Sequence, residues 1–136
     1  MKKDYTKAFT KAEGGYRIED YETFNTLYGD ATVADEETFV SDYSASPVVL
    51  GDDYTGDDMV EAAAMLSALW QDANRSVSEI RAATGQTQKQ FALRFCIPAQ
   101  TVAGWEIDRR SPPPYLILAL SDLVGVSIVK RGPAHE

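Results

Sequence analysis

The sequence predicts a mainly α protein made of two dissimilar parts, and three observations carry that reading. Apolar residues recur at helical spacing from Met59 through Leu123. Start and stop signals punctuate the same stretch, with Ser76-Val-Ser-Glu79 and Thr87-Gln-Lys-Gln90 as capping boxes and Gly85 and Gly125 as stops. Charge divides where those signals begin. Residues 1–74 hold 16 acidic and 5 basic side chains, and residues 75–136 hold 5 and 8, so a formal −8 conceals −11 beside +3. Between Arg17 and Arg75 there are 14 acids and no Lys or Arg.

Residues 1–17 are mixed in charge and break at Gly14-Gly15. They contain no apolar run of the kind a signal peptide needs. Residues 18–46 are rich in Tyr, Phe, Asp, Glu and Thr. An acidic disordered tail is poor in aromatics, and this segment is not. Tyr21, Phe24 and Tyr28 share a helical face and predict a short helix, and Glu36 to Tyr43 predicts a second. Pro47-Val-Val-Leu50 reads as a brief strand or a buried extended segment. The Gly- and Asp-rich stretch from Gly51 to Asp58 reads as a loop.

The longest expected helix runs from about Asp57 to Ala73. Asp57 and Asp58 suit its positive end, and Met59, Ala62, Leu66, Leu69 and Ala73 form its apolar stripe. Ser76 and Glu79 then open a helix to about Thr84. In the next one, capped by Thr87 and Gln90, Phe91, Ala92 and Phe95 lie on one face. Cys96-Ile97-Pro98 interrupts the pattern, and Pro98 suits a new helix start because its missing N–H would have no partner there. Val102 and Trp105 point inward at i, i+3, leaving Gln100, Thr101 and Gly104 outside. Two helices joined by about 3–4 residues, the second presenting polar groups, is the geometry of a helix-turn-helix DNA reader. After Pro112-Pro-Pro114 one more helix spans Tyr115 to Val124. Phe91, Phe95, Val102, Trp105, Leu116, Leu120 and Leu123 are the expected core.

The run TQxxFAxRFxIPxxTVxxWExxRRxPP, from Thr87 to Pro113, resembles the phage-repressor-like (XRE) helix-turn-helix domain of bacterial and phage regulators. The resemblance extends without a gap from about Val77 to about Ile128. It implies a C-terminal bundle of four to five helices. Only Val126 to Gly132 precede the polar tail, so the fifth is short or absent, and the Asp57–Ala73 helix is expected to cover the surface this leaves open. The layout is an acidic, aromatic-containing region 1–56 (short helices and room for a minor strand), a connecting helix 57–74, a DNA-binding domain 75–128 and a tail 129–136.

By the same resemblance, Ala99, Gln100, Thr101 and Gly104 face base edges in the major groove of operator DNA, with the recognition helix at about 98–108. Gln100 has the donor and acceptor to grip adenine, and Thr101 can meet a thymine methyl. Thr87, Gln88, Lys89, Arg109 and Arg110 are the expected phosphate contacts, helped by amides at a helix N-terminus. Arg81 and Glu106 are expected to form an ion pair that sets a helix angle. Cys96 stands where the family often has Gly, so a positive φ there would strain its turn. Paired half-sites imply a homodimer.

Other chemistry finds little support. A single Cys and a lone His at 135 leave no disulfide framework and no zinc set. The Asp52–Asp58 cluster lacks calcium-loop spacing. No catalytic constellation or phosphate loop is present, so no enzyme activity, metal or cofactor is expected. No apolar run reaches the roughly 20 residues of a membrane span, and a cytoplasmic regulator is the expectation. The acidic half invites a protein partner. One alternative is a phage anti-CRISPR or anti-restriction protein whose acidic half blocks a nuclease while the second half represses its own operon. Another is an antitoxin.

Overall fold

The computed structural model describes residues 8–107 and 111–130. In chain order its elements are β1 (Phe9–Ala12), β2 (Gly15–Ile18), α1 (Tyr21–Ala31), α2 (Glu36–Tyr43), α3 (Pro47–Leu50), α4 (Gly56–Ala73), α5 (Val77–Thr84), α6 (Gln88–Phe95), α7 (Ala99–Glu106), α8 (Pro114–Val124) and β3 (Val129–Lys130). The protein is mainly helical. Its described residues form two compact units, 8–73 with 128–130, and 74–127.

In the first unit, aspartates start the helices. The Asp20 carboxylate accepts the amides of Glu22 and Thr23, and that of Asp35 accepts the amide of Thr38. Thr55 and Asp58 bond reciprocally ahead of α4, backbone amide to side chain in each direction. Helix α1 buries Phe24, Leu27, Tyr28 and Ala31, one stripe at i, i+3, i+4 and i+7. The stripe of α4 includes Ala62, Met65, Leu66, Leu69 and Ala73.

The sequence reading set α4 over the C-terminal bundle; in the structure it belongs to the first unit, where it packs against α1, α2 and α3 and carries β3. The Trp70 indole N–H donates to the Ala34 carbonyl at 2.8 Å, and Ser67 donates to the Glu36 carboxylate. The physical reason is burial: the aromatic faces of α1 and α2 need an apolar partner, and α4 is the longest one in the chain. Residues 47–50 also differ from the expected strand. Ser46 accepts the amide of Val48, Pro47 sits in the first turn, and a short helix buries Val49 and Leu50.

A three-stranded sheet, ordered β1-β2-β3, completes this unit. The antiparallel pair β1/β2 matches Phe9 with Ile18 and Ala12 with Gly15, and β3 adds in parallel, matching Tyr16 with Val129. At Gly15 the chains approach so closely that a β-carbon would lie 2.0 Å from the Ile128 carbonyl oxygen. Residues 129–130, expected as tail, are thus a strand. They are held by the buried carboxylate of Asp72, which accepts the amides of Ile128 at 2.9 Å and Val129 at 2.8 Å.

The second unit contains α5–α8. Its buried cluster is Val77, Ile80, Phe91, Ala92, Val102, Ile117 and Leu120, with Phe95, Ile97, Trp105, Leu116 and Val124 packed against it. Leu123, expected in the core, is 64% exposed. Helix α8 is apolar almost all round, so periodicity alone does not choose its inward face. Packing sets that face through Ile117, Leu120 and Ser121, which turns Leu123 outward.

Candidate nucleic-acid interface

Helices α6 and α7 are joined by a turn whose conformation depends on Cys96. This residue adopts a left-handed conformation, φ 57° and ψ 38°. The Ile97 amide reaches back to the Ala92 carbonyl at 2.9 Å and the Cys96 amide to Leu93 at 3.4 Å. These are the two bonds that close a helix with a Schellman motif. The glycine-like geometry is kept although a β-carbon is present, and the thiol is exposed.

At the start of α6 the capping box is complete, with Thr87 N to Gln90 Oε1 at 2.9 Å and Gln90 N to Thr87 Oγ1 at 3.1 Å. It occupies two of the four amides that a helix start leaves over, so Gln88 and Lys89 supply the remaining first-turn donors. Thr87 and Lys89 are exposed and Gln88 is half-buried. Helix α7 begins after Pro98, and no side chain caps it. Its first turn therefore presents backbone N–H groups together with the exposed side chains of Ala99 and Gln100 and the half-buried Thr101.

Two expected contacts change. Gly104 is buried, so it offers no surface to a groove, and the outward set contracts to Ala99, Gln100 and Thr101. Gln88, expected at a phosphate, is half-buried and lies close enough to Glu106 to help hold its carboxyl low. Arg109 and Arg110 lie outside the described residues. Arg94 is exposed, 4.9 Å above the Phe95 ring, and donates to Gln86 Oε1 at 3.4 Å.

Glu106, at the end of α7, ties that helix to α5. Arg81 of α5 grips its carboxylate with two parallel bonds, Nε to Oε2 at 2.7 Å and Nη2 to Oε1 at 2.9 Å. Ser78, also of α5, donates to Oε1 at 3.1 Å. The remaining Arg81 nitrogen, Nη1, donates to the Gln86 carbonyl in the turn at 3.0 Å. The Glu106 side chain is 7% exposed and that of Arg81 26%. The Arg81 hydrogen bonds hold the Glu106 carboxyl below the usual carboxylate range against the opposing effect of burial, and Glu106 raises Arg81 in return. The family resemblance singled out Arg81 and Glu106. Ser78 carried no sequence signal of this role, because a single polar residue on a helix face does not reveal its partner.

Among the described residues no group of His, Cys, Asp and Glu could hold a metal ion, and no helix is long and apolar enough to cross a membrane. A family model described as helix-turn-helix matches residues 77–130. The match covers α5–α8, which are consistent with an XRE-type helix-turn-helix domain, the kind found in DNA-binding regulators. Residues 1–76 lie outside the match. No curated protein and no solved structure matches the chain.

Proposed function

We propose that the protein is a sequence-specific, repressor-type transcriptional regulator that inserts α7 into the major groove of operator DNA. The observation that carries this reading is the uncapped N-terminal turn of α7, with Ala99, Gln100 and Thr101 outward, set at a fixed angle by the Glu106 cluster. Gln100 supplies the base-specific hydrogen bonds and Thr101 a methyl or phosphate contact. Thr87, Lys89 and the first-turn amides of α6 approach one phosphate, and Arg109 and Arg110 another. A homodimer reading half-sites about one helical turn apart suits this geometry.

The overall charge of −8 sharpens the reading. Non-specific DNA affinity grows with the number of phosphates neutralised, and an acidic unit in the same chain opposes it. Binding therefore rests on the right sequence more than in a basic regulator. Selection from random DNA followed by titration at several salt concentrations tests this. A discrete site should emerge, and Gln100→Ala should weaken it by roughly tenfold, about 1–3 kcal/mol, while hardly affecting random DNA. If no sequence is enriched, and generic DNA is not bound even at low salt, the reading is lost.

A further inference from the structure

The first unit has a groove that DNA reading does not use. It opens between α1 and α2 and is lined by Asp30, Val33, Ala34, Phe39, Asp42 and Tyr43, with a volume of about 360 Å³. Its walls are of two kinds. Val33 is 84% exposed, and the rings of Phe39 and Tyr43 pack with centroids 5.5 Å apart, so one side is apolar and aromatic. The lining also carries two carboxylates, Asp30 and Asp42. The Tyr43 hydroxyl donates to the Asp30 carboxylate, which orients that group beside the ring. That hydrogen bond, then burial, then the charges of Asp30 and Asp42 push the Tyr43 phenol up to about 12, so the ring stays neutral at any physiological pH.

Negative charge here is not balanced from nearby in the sequence, since the chain has no Lys or Arg between Arg17 and Arg75. A groove with an apolar floor, an aromatic wall and paired carboxylates complements a cation carried on an apolar stem. Arginine meets all three demands. Its methylenes cover apolar surface, its planar head stacks on a ring, and its fork engages carboxylate oxygens. We propose that the α1–α2 groove docks an arginine side chain from a basic segment of a partner protein, with the stem on Val33 and Ala34 and the guanidinium between Asp30 and Asp42. Nucleic acid is excluded as the occupant by its charge. The proposal is independent of DNA reading by the second unit.

The test is a titration of the full-length, isotope-labelled protein, followed by NMR, with the peptide acetyl-Leu-Arg-Leu-amide at moderate salt. Parallel titrations use the same peptide with lysine, or with citrulline, in place of arginine. Saturable shifts centred on Val33, Ala34 and Tyr43 are expected with arginine. They should be weaker with lysine and absent with the neutral citrulline. Asp42→Asn, an exposed position, should weaken the arginine peptide about three- to fivefold, the size of one exposed ion pair. Asp52→Asn, in the loop before α4, should leave it unchanged. Equal shifts around the Asp52–Asp58 loop, or indifference to Asp42→Asn, would mean a diffuse counter-ion effect and would overturn the proposal. Groove shifts that appear when the protein alone is concentrated would assign the groove to a second copy, which also overturns it.

Discussion

The two units use acidic side chains in opposite ways. In the first, carboxylates accept from neutral donors. Asp20 and Asp35 cap helices, Asp72 holds the amides of β3, Asp30 takes a phenol proton and Glu36 a serine hydroxyl. The Thr38 amide and hydroxyl hold Asp35 below its ordinary value, yet no cation is needed. In the second unit α5 and α6 start with capping boxes headed by the neutral Ser76 and Thr87, and the acid at the centre, Glu106, is held by a guanidinium. The lesson is that an acidic composition is not one property. Much of the negative charge of the first unit is built into its backbone hydrogen bonding. In the second unit the central acid is absorbed into the geometry that aims α7.

The comparison can be broken most strongly at the core of α4. Met65 is fully buried, so Met65→Ala should cost about 3 kcal/mol. Trp70 lies in the first unit and Trp105 in the second, so single-tryptophan variants can follow the units separately during urea unfolding. The Trp70 transition should move to lower urea and the Trp105 transition much less. Equal displacement of both would show that the units do not unfold as distinct bodies.

Next in size is Glu106→Ala. It strands Arg81 with one carbonyl partner and should cost the second unit about 2–3 kcal/mol, read at Trp105. The double variant Arg81→Met with Glu106→Leu should regain much of that stability, because well-packed apolar replacements often match a buried pair. If the single variant is neutral, the cluster does not hold the bundle.

A smaller effect follows from pH. The folded Glu106 carboxyl lies below its unfolded value, so its contribution is complete above about pH 4.3 and is lost as pH falls through the lower folded value. Trp105-detected stability should therefore decline below about pH 4, and Glu106→Gln should flatten that decline. A profile identical in the two proteins would contradict the assignment. The smallest change is a gain. Cys96→Gly removes the β-carbon from a left-handed residue and should raise stability by about 1 kcal/mol, measured as a later Trp105 transition. An unchanged or earlier midpoint would mean that the turn carries no strain.

Much of the helical architecture was legible in the chain itself, because its causes are local. Capping boxes at Ser76 and Thr87 join residues three apart, and the stripes of α1 and α4 repeat within single helices, so their period is visible in sequence order. The Thr87–Glu106 run likewise encodes its own turn, and the retained φ of 57° at Cys96 shows how firmly that turn is specified. What only the tertiary structure decided involves partners far apart. Asp72 binds amides 56 and 57 positions away, which makes a strand of an apparent tail. The unit that α4 joins, the inward face of α8 and the burial of Gly104 were each chosen by neighbouring surfaces. Hydrogen-bond patterns within a turn of helix are written in adjacent residues, whereas the choice among apolar faces depends on which distant surface is left to bury them.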